Sequence, residues 1–425
     1  MPNEPGAQEP PTLDIGGLID GQRVRKSAIV FLAIATMAMI SDGFDIAAMG
    51  FVVPELAKQW HVAPPALAPA LTAGVSGLLI GAPLFGYLGD RFGRKAAILA
   101  SLAIVGVSTL TMMAAATLEA FVVLRFITGV ALGGLIPSLI ALAAEVAPKR
   151  RRGVFIIVVN FGLPAGFAIP GWVAALLVPQ YGWPALMLVG GIMPLVIAIV
   201  AYLFLPESIA FLVQRGGRDK EVTRYLRRMR PDLSIPDTAW SRSSAVQAAG
   251  RRGTSPARLF SGSLGFITPV FWLAYAANQF ANFFSLSWLP TLLQSSGMGT
   301  SQAGVTASMY SVGGLAGGFA LAFFVDRFGA LPMIFLFLVG APLVAAVGLP
   351  HLSPLLLSAI IAGAGFCVTG NNFAASAVVG MLYPTAIRSM GAGWGQAFGR
   401  LGSLAAQQGH SVLITLCRGR AAGRS

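Results

Sequence analysis

Along the chain, long apolar runs alternate with short polar breaks. Apolar stretches of about 20 residues, the length that crosses a hydrocarbon core, occur at 27–54, 66–88, 96–116, 120–144, 154–178 and 185–205. They resume at 266–290, 302–325, 331–349, 353–380 and 389–416. Several contain Pro and Gly, such as Pro164 and Pro170, which membrane helices tolerate better than soluble ones. The pattern predicts an all-α polytopic membrane protein of about eleven spans. The one long polar interruption, 206–265, divides the chain. The expected organisation is a polar segment 1–26, a six-helix part 27–205, a basic linker 206–265, a five-span part 266–416 and a basic tail 417–425. Within the linker, Val222, Leu226 and Met229 share one helical face among basic residues. Such a stretch suits a helix lying on a membrane surface or a plain solvated linker.

Composition sharpens this. Only 11% of the 425 residues are charged, against roughly 25% in soluble domains. That excludes an ordinary soluble enzyme, a disordered chain and a nucleic-acid-binding domain. Two cysteines and three scattered histidines make no disulfide framework, metal cluster or HExxH pattern. No cofactor is expected. The net charge of +13 is distributed by topology. With the N-terminus inside, the cytoplasmic segments ahead of the final tail hold 23 Lys and Arg, and the outer loops hold one, Lys58. Such a bias orients a polytopic chain with its N-terminus in the cytoplasm, in a bacterial inner membrane. Anionic lipid head groups are the expected neighbours of the basic face.

Two loops repeat. Asp90-Arg91-Phe92-Gly93 follows the second span, and Asp326-Arg327-Phe328-Gly329 follows the eighth. Parallel repeated halves are a transporter plan with a site near the midplane. In Gly86-Tyr-Leu-Gly-Asp-Arg-Phe-Gly-Arg-Lys95, glycines allow a tight turn. Asp90 can cap a helix, and Arg91 and Arg94 can reach carboxylates on neighbouring helix ends.

Charges inside the spans are the candidate chemistry. Asp42 and Asp45 stand three residues apart on one face of the first span. Asp42 is about 24 Å along the helix from Lys26, which places both acids in the outer half of the span. The bland alternative is a first span that ends early, leaving both acids in a loop. An acid inside a span costs about 2.5–3.5 kcal/mol. Two together suggest a pair that exchanges a proton, as a proton-coupled carrier needs. Arg125 opens Arg-x-x-x-Gly129-x-x-x-Gly133 in the fourth span, at a similar depth. It can bind a substrate carboxylate or pair with Asp42 or Asp45, and the sequence leaves both open. Arg400 follows Gly391-x-x-x-Gly395-x-x-x-Gly399, near the midplane. Asn160, Asn371, Asn372 and Trp394 are further candidates for binding a polar or aromatic ligand, each with helix packing as its competing role.

The signature loop resembles that of the major facilitator superfamily, in which it acts as a latch between conformations. The match sharpens with Asp42-Gly-Phe-Asp45, Arg125, Glu145, Tyr383-Pro-Thr-Ala-Ile-Arg388-Ser-Met-Gly391, Gly393-Trp394 and Gly399-Arg400-Leu-Gly402. Together these resemble the aromatic acid:H+ symporter family, from about residue 25 to 404. The resemblance implies a major facilitator fold of two six-helix halves and inward transport of benzoate-type or hydroxybenzoate-type acids with protons. By it Asp42, Asp45, Asp90, Arg125, Glu145, Arg388 and Arg400 are the important charged positions; Asp42 and Asp45 are expected to couple protons, and Arg400, with Arg125 the alternative, to bind the substrate carboxylate. Asp90, Arg91, Gly93, Arg94, Glu145, Arg388, Asp326 and Arg327 serve gating. A monomer is expected. After Leu404 the chain departs from the family pattern: Gln407-Gln-Gly-His-Ser411 and a basic end replace a further span, so the twelfth helix is expected to be missing. The competing expectations are a proton-coupled exporter of other small molecules and a nontransporting membrane sensor or scaffold.

Overall fold

A computed structural model describes residues 26–147, 151–208, 211–212, 259–262, 264–328, 331–349, 352–383, 391 and 393–408. These are helical almost throughout. The helices are α1 (Lys26–Gln59), α2 (Ala68–Phe92), α3 (Arg94–Met112), α4 (Leu118–Val146), α5 (Arg152–Tyr181) and α6 (Pro184–Phe204). They continue with α7 (Leu264–Ser295), α8 (Thr300–Phe328), α9 (Leu331–Ala346), α10 (Pro354–Leu382) and α11 (393–408). A 3-10 turn, Pro64–Leu67, leads into α2. Each of the first ten predicted spans overlaps a helix, and the eleventh is helical over the part that is described, 393–408. Among the described residues, seven helical segments are individually long and apolar enough to cross a membrane. The polar N-terminal segment, the core of the linker and residues 409–425 lie outside the described residues.

One boundary shifts with consequence. The sequence ends the first span at residue 54, where Glu55 and Lys58 interrupt the apolar run. The helix continues to Gln59, because Val53, Leu56 and Ala57 remain buried at helical spacing. Asp42 therefore lies 16 residues from Lys26 and 17 from Gln59, at the middle of α1 and not in its outer half. An early end to the span, with both acids in a loop, does not occur.

Close helix pairs repeat along the chain. In the α2/α4 pair, Gly129 packs onto the Gly74 carbonyl and Gly81 onto that of Val130. In the α8/α10 pair, Gly313 packs onto the Ala362 carbonyl and Gly365 onto that of Tyr310. In the α1/α5 pair Gly166 meets the Ile40 carbonyl, and in the α7/α11 pair Gly402 meets that of Ala276. Without a hydrophobic driving force between helices in lipid, backbones that approach this closely gain van der Waals contact. The same pairing thus recurs six helices later.

The two sets, α1–α6 and α7–α11, meet through one shared core that includes Phe44, Met49, Leu286, Trp288, Tyr310 and Ile361. Polar contacts join them at the end carrying Gln59 and Thr300. Thr300 Oγ1 donates to Glu55 Oε1 at 3.0 Å, and Lys58 Nζ donates to Glu55 Oε1 at 2.9 Å and to Gln294 Oε1 at 3.0 Å. Lys58, the exception in the charge bias, is thus part of this seal. Deeper in, Ser308 Oγ donates to the Ala168 carbonyl at 3.1 Å. Phe161 stacks on Phe319 at 4.2 Å between centroids.

Candidate functional site

The mid-helix acids of α1 have different surroundings. Asp45 is held: Arg125 Nη1 donates to its Oδ2 at 2.8 Å, and Thr109 Oγ1 reaches its Oδ1 at 3.4 Å. Both members of the ion pair are nearly inaccessible, with residue exposures of 5% for Arg125 and 2% for Asp45. Gly74 makes room for the guanidinium, because a Cβ there would stand 3.0 Å from Arg125 Nη2. Asp42 is fully buried, and neither of its carboxylate oxygens has a hydrogen-bond partner among the described residues. An opposite charge acts on it from the other helix set. Arg400, partly buried on α11, lies within Coulombic range of Asp42 and of Tyr275. Of the two expected partners, Asp42 and Asp45, it is Asp45 that Arg125 meets, and Arg400 is a second intramembrane cation.

Around Arg400, Gly399 lies against the Tyr275 ring and near Gln279 Cγ. The Gln279 Oε1 is buried without a partner among the described residues. On the same helix, Phe280 and Phe284 stack with centroids 6.0 Å apart. The arrangement is a cation, an unpaired acid and aromatic faces between two helix sets.

Other candidates are used differently. Asn160 Nδ2 donates to the Ile156 carbonyl of its own helix at 2.8 Å. Asn372 Oδ1 accepts from Asn278 Nδ2 at 3.1 Å, and that nitrogen also reaches the Val368 carbonyl. These are packing bonds of α7 against α10. Asn371 is buried with both side-chain polar atoms unpartnered among the described residues. Trp394 is 47% exposed and stacks on Trp272, about 9 Å along α11 from Arg400.

At the signature loop, Gly93 joins α2 to α3 with φ +107°. Arg91 Nη1 donates to Tyr87 Oη at 2.9 Å, and Arg94 begins α3. Glu207, just past α6, accepts at Oε1 from the backbone N–H of Lys95 at 3.1 Å and of Ser208 at 3.0 Å. Its carboxylate thus satisfies a donor in the first turn of α3, where negative charge is favoured. Lys95 Nζ donates to the Tyr202 carbonyl at 2.8 Å. The side chains of Asp90, Glu145, Asp326 and Arg327, and all of Arg388, lie outside the described residues. The sequence pattern alone assigns Glu207 no role. It also passes over Thr109, whose hydroxyl in an apolar span is the available signal.

A Cβ on Gly93 would stand 2.5 Å from Glu207 Oε2, in a backbone region that L side chains avoid. Gly93→Ala is therefore expected to cost about 1–3 kcal/mol and to lower the melting temperature of the purified protein. Unchanged melting would show that the α2–α3 corner tolerates the strain.

Residues 34–407 match the model of the Major Facilitator Superfamily. The chain belongs to that superfamily. Its relatives include the 4-hydroxybenzoate transporter PcaK of Pseudomonas putida, 30% identical over 406 residues that cover 95% of this chain and 90% of the relative. The gallate transporter of Pseudomonas putida is 30% identical over 395 residues, covering 92% of this chain and 87% of the relative. Among solved structures, the inward open conformation of the xylose transporter XylE from E. coli aligns with a TM-score of 0.71. It has 17% identity and covers 90% of this chain and 89% of that one, a likeness of fold. This superfamily member is a multi-pass membrane transporter and not an enzyme, with the major facilitator fold expected from its loops.

Proposed function

We propose that this protein imports an aromatic carboxylate of the benzoate or hydroxybenzoate type together with protons. The observation that carries the proposal is Asp42, fully buried and without a hydrogen-bond partner among the described residues, within Coulombic range of Arg400 on the opposite helix set. Relatives named for 4-hydroxybenzoate, gallate and benzoate transport support the substrate class.

The coupling follows from two anions competing for one cation. Arg400 can take a carboxylate bidentately. A substrate anion there neutralises the charge that offsets Asp42 and also repels the Asp42 carboxylate in a low dielectric. Protonation of Asp42 removes that repulsion, so substrate and proton favour each other's binding, and linkage makes the effect reciprocal. Asp45 keeps Arg125 neutralised in the meantime. Phe280 and Phe284 offer faces on which a ring can stack. On this reading 27–205 and 266–416 are the two halves, joined by 206–265. The chain lies with its N-terminus in the cytoplasm and its basic side against anionic lipid, as the 23-to-one charge bias supports. A monomer suffices.

The test is uptake of labelled 4-hydroxybenzoate by vesicles containing the purified protein. Accumulation above equilibrium is expected when a proton gradient is imposed and is expected to collapse with a protonophore. Equilibration at the same rate and level with and without the gradient would remove the proton from the mechanism.

A further inference from the structure

A small pocket lies between the helix sets beside the buried ion pair. Ile46, Gly74 and Arg125 belong to its first wall, and Phe283, Ser287 and Gln407 to its second. It has room for about one water. Gln407 stands in a stretch too polar for a lipid-facing helix, yet it is only 2% exposed. Helix α11 turns it inward, not towards lipid. Its Oε1 has no hydrogen-bond partner among the described residues, and neither has the Nε of Arg125. Arg125 spends Nη1 on Asp45.

Buried donors and acceptors in folded proteins are paired directly or through ordered water. A bound water needs two to four polar partners, and Arg125, Gln407 and Ser287 all line this pocket. We propose that the pocket is a water site through which Gln407 is tied to the Asp45–Arg125 pair, making Gln407 a positioning residue for proton coupling. The proposal rests on the proton-coupled reading above and adds a residue to it.

The helix supplies the mechanical link. Gln407 follows Arg400 by seven residues, two turns along one face of α11 and about 10 Å apart. Arg125 is directed to Asp45, and the water bridges the guanidinium to Gln407, the acceptor on the other helix set. Loss of charge at Asp42, one turn along α1 from Asp45, alters the field on this pair and its bridge. A change of charge in one set thereby reaches the helix that carries Arg400 in the other. The charged group lining this pocket is Arg125 from α4, paired with Asp45 of α1; Asp42 lies three residues before Asp45 on α1 and Arg400 seven before Gln407 on α11. The lining residues of α2 (Leu71, Gly74, Val75 and Leu78) and of α7 (Phe283 and Ser287) carry no titratable side chain.

The experiment separates an acceptor from a packing group. Gln407→Met keeps length and volume but has no oxygen to accept. A melting-temperature double-mutant cycle with Arg125→Lys, which keeps the charge near Asp45 and removes the Nε donor, reads the link without any substrate. Non-additive shifts are expected, because residues sharing one network couple. If Arg125→Lys does not fold, Ser287→Ala on the facing wall takes its place in the cycle. In vesicles, Gln407→Met is expected to lower gradient-driven accumulation of 4-hydroxybenzoate about tenfold while exchange of labelled for unlabelled substrate proceeds. Gln407→Glu, which restores an acceptor, is expected to recover more accumulation than Gln407→Met. Additive melting shifts, or accumulation by Gln407→Met at the unsubstituted level, would overturn the proposal. Absence of exchange in the unsubstituted protein would instead sink the aromatic-acid reading, and the melting cycle would still decide the pocket.

Discussion

Arg400→Lys is expected to weaken binding of 4-hydroxybenzoate roughly 30-fold, the equivalent of about 2 kcal/mol for one charge-assisted hydrogen bond. Lysine keeps the charge opposite Asp42 but cannot present the planar fork that holds both carboxylate oxygens. Arg400→Gln removes the charge as well and is expected to abolish detectable binding. Equilibrium binding to purified protein is the appropriate measurement, because transport rates mix affinity with conformational steps. Arg125 is the control. Its guanidinium already meets Asp45 at 2.8 Å in a site closed to solvent, so Arg125→Lys is expected to disturb stability and coupling more than affinity. Normal binding by Arg400→Lys together with lost binding by Arg125→Lys would reverse the two roles.

The two aspartates are expected to behave differently when neutralised. Asp45→Asn leaves Arg125 buried without its counter-charge, a change worth about 3–5 kcal/mol of destabilisation. It should lower both melting temperature and accumulation. Asp42→Asn breaks no hydrogen bond among the described residues. It should leave melting close to that of the unsubstituted protein while gradient-driven accumulation disappears. Melting curves and uphill uptake measured on the same preparations separate the cases. Uphill uptake unchanged in both variants would remove the pair from the coupling step, and equal destabilisation by both would contradict the asymmetry of their surroundings.

The depth of the acids and the fate of the polar residues mark where sequence reasoning ran out. Hydropathy located all eleven described helices but closed α1 five residues early, because Glu55 and Lys58 look like a loop until Val53, Leu56 and Ala57 are seen in the core. That placed Asp42 in the outer half of the span, whereas it stands at the middle of α1. Asn160 and Asn372 looked like ligand groups because they are amides in apolar spans. Asn160 bonds a carbonyl of its own helix, and Asn372 accepts a bond from Asn278 of α7. Gln407, in the stretch that departs from the family pattern, is buried between the sets.

The helices among the described residues and the charged residues within them were legible in the sequence alone. In lipid every backbone group must be satisfied within its own segment, so an apolar run of sufficient length has little choice but to be a helix. The repeated Asp-Arg-Phe-Gly loops likewise announced a duplicated plan, since sequence identity at corresponding positions needs no coordinates to be seen. The partner of Arg125 was decided by tertiary structure. Asp42 and Asp45 lie on one face of α1, three residues apart and about 80 residues from Arg125 in sequence. Which of them meets the guanidinium depends on the rotation of α1 against α4 and on the space left at Gly74. The approach of Arg400 to the acid left over depends in turn on how α11 packs beside α7. Those rotations and distances are set by side-chain packing between helices remote in sequence, and no local pattern encodes them.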